Sequence, residues 1–383
     1  MKKEYLLSPG PTPIPPTILL KMAEPIVHHR APQYEEIFQE VRGDLPYLFQ
    51  TKNEVLVLSS SGTGAMEGTI TSLFSRGDRV LVVNGGKFGQ RWAEISSVYG
   101  LDVVSLDVTW GQAADPSQIE EKLKNDRSIR AVLIQATETS TGVVHPIKEI
   151  ASIVKSYEQT LMVVDGITGV GVFDLPADKW NLDVVIAGSQ KALMLPPGLA
   201  LVSLSDKAWQ FAENSDLPNY YFNFKKEFAS AKKNQNSYTP AITLIMGLKE
   251  ALRMIKEEGL ENLFSRHEQL ALATRAGVTA LGLSLFATPP SNALTAVKLP
   301  EGVDGKKLVK ILRDEYGITV AGGQDKLKGK IIRIAHLGFI GKFDIIIALS
   351  GVGMALRDMG HPVELGEGIK AATEVFNHYE NSN

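Results

Sequence analysis

The sequence predicts an α/β fold: a large domain built on a mostly parallel seven-stranded sheet wrapped by helices, followed by a smaller C-terminal α+β domain. Three observations predict it. From about residue 54, short β-branched runs alternate with longer amphipathic ones. The short runs show little apolar–polar alternation, as expected of strands buried on both faces of a parallel sheet. After Gly282 the rhythm changes to a mixture of isolated strands and helices. A chain of 383 residues is long enough for both domains.

Taken in order, SPGPTPIPP at residues 8–16 carries five of the 19 prolines. Its missing N–H groups and fixed φ predict an extended segment over the surface rather than a helix. Strands are expected at Val55–Leu58, Arg79–Val83, Asp102–Leu106, Ala131–Gln135, Leu161–Val164, Val184–Ala187 and Leu199–Ser203. Helices are expected near 64–75, 89–99, 116–125 and 147–158, where apolar residues recur at helical spacing. The last two strands are joined only by SQKALMLPPG, too short for a crossover helix, so that pair is read as antiparallel or displaced. Long helices follow near 241–258 and 262–281. Beyond Gly282, Ala293–Leu299 reads as a strand, Gly305–Glu315 as a helix, Ile318–Val320 and Ile331–Ala335 as strands, and 343–357 and 366–379 as closing helices. The expected division is an extended arm over 1–17, a large domain over 18–264 and a small domain over 265–383.

Composition removes several function classes. Hydrophobic residues make up 44% and charged residues 22%, with a net charge of -3. That balance favours neither nucleic acid nor an anionic membrane, which call for a basic excess. Without any cysteine, disulfides, iron–sulfur clusters, thiolate zinc sites and a cysteine nucleophile are excluded. The apolar run near the N-terminus is too short for a signal sequence, and proline follows it at once. The longest apolar stretch, Ile345 to Leu356, is interrupted by Ser350, Gly351 and Gly353 and falls short of the roughly 20 residues of a membrane span. The expectation is a cytoplasmic protein.

Three segments carry chemistry. In VLVLSSSGTGAMEG a buried strand runs through a Ser/Gly/Thr cluster into a helix. Backbone N–H groups at a helix N-terminus, with hydroxyls beside them, form a phosphate cradle. A dinucleotide fingerprint fits less well, because the third glycine, Gly68, comes one residue late and the next strand ends in Asn84 rather than an acid. A plain strand–helix turn with a Ser cap is the structural alternative. In LMVVDGITGVG, Asp165 stands at the carboxyl end of a buried strand, where open α/β sheets place their ligands; a turn-capping aspartate is the alternative. In AGSQKALMLPPG, Lys191 follows the next strand and is delivered to the same rim. A desolvated lysine has a lowered pKa, and its neutral amine can form a Schiff base with an aldehyde. An acid against a pyridine nitrogen turns the ring into an electron sink. Phosphate loop, aspartate and lysine, in that order, fit pyridoxal phosphate.

On these residues the chain resembles the class V aminotransferases of fold type I, and looks similar to the alanine–glyoxylate and serine–pyruvate group. The resemblance spans essentially the whole chain and rests on SPGPTPIPP, SGTGAMEG, GKFGQRWAE, TSTGVVHP, VVDGITGVG, GSQKALMLPPG, TPAITL and GKIIRIAHLG. It implies that Lys191 is the Schiff-base lysine and that Asp165 binds the pyridinium nitrogen. Ser61, Gly62 and Thr63 would meet the phosphate, with Gln190 beside it. Phe88 would stack on the cofactor, a position held by tryptophan in the animal peroxisomal enzymes, whose residue matching Thr63 is histidine. Ser140 would lie near the ring hydroxyl or Schiff base. Arg333, set on the opposite strand face from Ile332 and Ile334, would grip the substrate carboxylate. Thr239 would reach the phosphate site of a neighbouring subunit in a homodimer with active sites at the interface, with either Asn236 or Tyr238 beside it. The implied activity is transfer of an amino group from serine or alanine to glyoxylate or pyruvate. Other donors of the same class (aspartate, aminoethylphosphonate or a purine-derived amino acid), or a non-catalytic subunit retaining the fold, are the alternatives.

Overall fold

A computed structural model describes residues 3–382. Met1 and Lys2, at the start of the expected arm, lie outside the described residues. The arm departs from expectation. β1 (Tyr5–Leu6) pairs in parallel with residues 318–319 of the small domain, and Leu7 and Thr12 are buried. Proline carries no N–H, so a proline-rich segment can enter the interior with few donors left to satisfy. Nor is Pro16 outside helical structure: it opens α1 (Pro16–Met22) at the first helical position, where its missing N–H costs nothing.

The sequence reading gives no helix between residues 17 and 54, yet α2 (Pro32–Phe49) fills most of that interval. Its buried residues Tyr34, Phe38, Val41, Leu45 and Leu48 recur at spacings of four and three, a single core-facing stripe. The α/β rhythm then begins as expected: β2 (Val55–Ser59), α3 (Gly62–Leu73), β3 (Arg79–Asn84), α4 (Lys87–Val98), β4 (Asp102–Asp107), α5 (Pro116–Asn125) and β5 (Ile129–Gln135). A small hairpin of β6 (Thr137–Glu138) and β7 (Val143–Val144) follows. Next come α6 (Ile147–Val154), β8 (Leu161–Asp165), β9 (Val184–Gly188) and β10 (Leu199–Leu204). α6 stops four residues short of its expected end, where its buried positions Ile147, Ile150, Ala151 and Val154 give way to exposed Lys155 and Ser156.

The seven strands lie in the order β2-β10-β9-β8-β5-β3-β4. β10 runs antiparallel between β2 and β9, as the short turn required, and the other pairings are parallel. Six strands therefore point their carboxyl ends at one rim. All five residues of β8 and of β9 are buried, because helices cover both faces. α7 (Asp206–Asn214) and α8 (Phe224–Ala231) were not expected; each opens on a side-chain cap, from Ser205 and Asn223.

α9 (Ile242–Glu258) and α10 (Leu260–Ala280) lead to the small sheet. The expected boundary after residue 264 falls inside α10, a continuous helix that gives Leu263 to the large-sheet core and Leu270, Ala273 and Val278 to the small-domain core. The small sheet holds β11 (Ser284–Leu285), β12 (Leu294–Lys298), β14 (Ala321–Gly322) and β15 (Ile331–Ala335), ordered β11-β12-β15-β14 and antiparallel throughout. Between β12 and β14 lie α11 (Gly305–Asp314) and β13 (Ile318–Thr319), the partner of β1. α12 (Lys342–Asp358) and α13 (Glu367–Ser382) close the chain. Among the described residues no helix is long and apolar enough to cross a membrane.

Candidate active site

Five loops meet at the rim. β2 leads through Ser61 into α3, β3 leads into α4, β5 into the Glu138–Thr141 turn, β8 ends on Asp165, and β9 is followed by Gln190 and Lys191. β8 and β9 are neighbours, with Asp165 paired to Ile186, so the acid and the lysine lie past adjacent strand ends. Ile167 ties the Ser61–Thr63 loop to both. A Cβ at Gly62 would stand 2.2 Å from Ile167 Cδ1, and one at Gly188 would stand 3.3 Å from Ile167 Cγ2 and 3.1 Å from Gln190 Oε1. Only glycine at position 62 lets the start of α3 approach this closely.

The electrostatics follow from burial. Asp165 Oδ1 accepts a 2.9 Å hydrogen bond from Ile167 N, and no hydrogen bond among the described residues engages Oδ2. Burial pushes the Asp165 carboxyl up to about 6, helped by Glu138 and opposed by the Ile167 amide, Lys191 and Arg91. Burial first, and Arg333 second, bring the Lys191 ammonium down to about 8, against the pull of Asp165. The Lys191 amine donates to the Pro9 carbonyl, and Thr12 Oγ1 donates to Lys191 O at 2.9 Å. The arm thus closes over the lysine instead of lying on the surface.

Arg333 comes from the small domain. It is 5% exposed, and burial lowers its guanidinium to about 10. Nε and Nη2 donate to Gly322 O at 3.1 and 2.9 Å, and Nη1 donates to Thr139 O at 2.8 Å. Of its five N–H groups, one on each terminal nitrogen stays available. Phe88 is half-buried in the first turn of α4. Ser140 is buried; its hydroxyl donates to Glu138 and accepts from Lys87 N at 3.0 Å. Ser61 begins α3 without a side-chain capping bond, and the first amides of that helix lack intrahelical partners. Gln190 Oε1 is buried with no partner among the described residues.

Thr239 is not brought to this cluster within one protomer. It is exposed, in a shallow recess with Ser59, Phe222 and Tyr238. Asn236 is buried and spent within its own chain, on Tyr34 Oη, Val57 O and Glu227. Tyr238 lies against Tyr220 and Tyr221 near the surface. Sequence reasoning missed three groups: Pro9, Glu138 and Arg91. Arg91 lies 4.9 Å over the Phe88 ring and donates to Thr63 Oγ1 at 3.2 Å. Its position three residues after Phe88 on a helix was the available signal.

The donor set fits pyridoxal phosphate. A glycine-tight helix N-terminus, with the Ser61 hydroxyl beside it and a Thr63 hydroxyl still able to donate, suits a phosphate, a buried carboxylate has one oxygen unengaged, and a lysine with a lowered pKa stands beside it. The comparisons agree. The class-V aminotransferase family model matches residues 4–334. A "Soluble hydrogenase 42 kDa subunit" of Anabaena cylindrica is 42% identical over 98% of this chain and 99% of its own. The L-aspartate–glyoxylate aminotransferase of Paracoccus denitrificans is 36% identical over 96% of this chain and 95% of its own. The serine–glyoxylate aminotransferase of Methylorubrum extorquens is 35% identical over 98% and 96%. Among solved structures, the ureidoglycine–glyoxylate aminotransferase of Bacillus subtilis superposes with a TM-score of 0.94 at 30% identity, over 98% of this chain and 99% of that one.

Proposed function

The chain belongs to the class V aminotransferases, pyridoxal-phosphate enzymes of fold type I, and on that premise we propose that it moves the amino group of serine or alanine to glyoxylate or pyruvate by a ping-pong mechanism. The observation that supports this most is the convergence of Lys191, Asp165 and Arg333, drawn from two adjacent strand ends and from the small domain, with the Lys191 amine within electrostatic reach of both the carboxylate and the guanidinium.

Bound pyridoxal phosphate supplies an aldehyde that captures amines and a ring that withdraws electrons from the substrate Cα. Lys191 would hold the cofactor covalently, and its Nζ, when free and neutral, would serve as the base for the substrate Cα proton. Asp165 Oδ2 would hold the ring nitrogen in its protonated form. Ser61, Gly62, Thr63 and Gln190 would hold the phosphate, with Phe88 for the ring and Ser140 for the ring hydroxyl. The two free N–H groups of Arg333 take the substrate carboxylate bidentately. In a homodimer, Thr239 reaches the neighbour's phosphate, and Tyr238 is better placed than the buried Asn236 to accompany it. The chain divides into the arm over 1–17, the large domain over 18–264 and the small domain over 265–383, with Arg333 in the last.

A half-reaction screen tests the reading: cofactor absorbance is followed as serine, alanine, aspartate and aminoethylphosphonate are added in turn. Serine or alanine should discharge the cofactor fastest. The identity to the Paracoccus relative favours a second reading in which aspartate is the donor, and aspartate would then lead the panel. No response to any donor, in protein that has bound cofactor, points to a non-catalytic subunit. In that case the chain serves as a protein partner and not a carrier of thiolate-bound metal, since it has no cysteine.

A further inference from the structure

Glu138 is fully buried, and every hydrogen bond it makes is one it accepts. One carboxylate oxygen, Oε2, accepts from Phe88 N at 3.2 Å and Gly89 N at 3.0 Å. The other accepts from Ser140 N at 3.1 Å and from the Ser140 hydroxyl. Four donors and no acceptor suit an ionised carboxylate, which accepts only; burial pushes the Glu138 carboxyl up, and these four hydrogen bonds pull it back down. The approach is so close that a Cβ on Gly86 would stand 2.4 Å from Glu138 Cδ and 2.5 Å from Ser140 Oγ. The residue after it is tied just as firmly to the other half of the site. Thr139 O accepts from Arg333 Nη1 at 2.8 Å, and Thr139 Oγ1 donates to Thr168 Oγ1 at 2.8 Å, three residues beyond Asp165.

We propose that Glu138 is a positioning residue that sets the register between the two halves of the active site. Its carboxylate fixes the first turn of α4, and with it Phe88 and the Ser140 hydroxyl, while the Glu138–Thr141 turn holds Arg333 through the Thr139 carbonyl. A carboxylate suits this place because three backbone N–H groups and a hydroxyl converge on it, and hydrogen bonds to an ionised acceptor are the strong ones. The inference rests on the cofactor site proposed above.

The test is the Glu138→Gln variant, which keeps the shape but turns an N–H₂ toward one pair of donors. Apo protein is titrated with pyridoxal phosphate by fluorescence, the visible circular dichroism of the bound cofactor is recorded, glyoxylate affinity is measured, and thermal unfolding is followed in the apo form. The expected result is cofactor binding weakened about tenfold or more, the loss expected for a hydrogen bond to a charged group, with weaker glyoxylate binding and an altered dichroic band. Glu138→Asp keeps the charge and should recover part of the loss. A lower unfolding temperature with unchanged cofactor affinity and an unchanged dichroic band would overturn the proposal, leaving Glu138 a structural residue only. Should Glu138→Gln fail to fold, Gly86→Ala serves instead. Its methyl displaces the carboxylate and Ser140 without removing charge, and it must weaken cofactor binding and alter the band, or the inference is wrong. Wild-type protein that bound no cofactor would sink the underlying site; wild-type binding matched by the variants sinks only this inference.

Discussion

The rim of the large sheet and the wall of the small sheet build the candidate site by different means. On the rim, Asp165 and Lys191 lie at or just past the ends of parallel strands. There the backbone leaves the ladder and its turns can aim side chains at a ligand. On the wall, Arg333 stands in the middle of β15, paired with Ala296 on one side and Ala321 on the other. Small neighbours leave room for its side chain, and two carbonyls hold its guanidinium. The contrast assigns different work to each side. Loop ends can host a group that changes bonding partners during a reaction, whereas a strand-held, buried fork is suited to fixed recognition.

The largest effect should come from the rim. Under the proposed function, Lys191→Ala removes both the covalent anchor and the base for the Cα proton. It should lower kcat by at least about 10⁴-fold, the upper range for a positioned acid–base group, in a steady-state assay with serine and glyoxylate. Intact-mass analysis after borohydride trapping should show no adduct on the variant and one on the wild type. An adduct retained by the variant would remove Lys191 from the chemistry.

The wall should respond differently. Under the proposed function, Arg333→Gln removes the cationic partner of the substrate carboxylate, a loss worth about 2–5 kcal/mol. The KM for glyoxylate should rise roughly 100-fold, while kcat changes far less. A fall in kcat with an unchanged KM would mean that Arg333 shapes the rim instead of binding substrate, and the division of labour would fail.

The same contrast explains what was legible in the sequence. Rim residues could be read because a buried β-branched run followed by Asp or Lys marks a strand end, and strand ends are where ligands sit. Arg333 could be read only as a residue on one strand face; its role came from resemblance. Glu138 escaped because its importance lies in four donors that converge from residues 88, 89 and 140, a contact no local pattern reveals. α2 escaped for another reason. Its apolar stripe from Tyr34 to Leu48 is present in the sequence, but Pro32, Gly43 and Pro46 weaken the helical pattern around it. Pro32 opens the helix at no cost. Pro46 forgoes one bond near the last turn, a loss that the buried stripe offsets. The arm was misread because surface exposure was inferred from proline content, when the fate of its few N–H groups was the better question.

The smallest effect sharpens the comparison most. Lys191 loses its proton near pH 8 instead of the 10.5 usual for lysine, because burial and Arg333 disfavour its charge. A lowered lysine pKa means the neutral amine appears earlier as pH rises. The rate at which apo protein captures pyridoxal phosphate should therefore climb through about pH 8 and level off above it. Asp165 titrates near 6, so it is ionised across that window and favours the ammonium. Asp165→Asn, a change on the rim, should move the midpoint below that of the wild type. Arg333→Gln, a change in the wall, removes a cation that disfavours the ammonium and should move the midpoint up. Opposite shifts from the two sides, read in one stopped-flow series with Arg91 left intact as a common background, require that both regions face the same amine. Shifts of the same sign, or none from Arg333→Gln, would place the arginine too far from Lys191 to share a site with it.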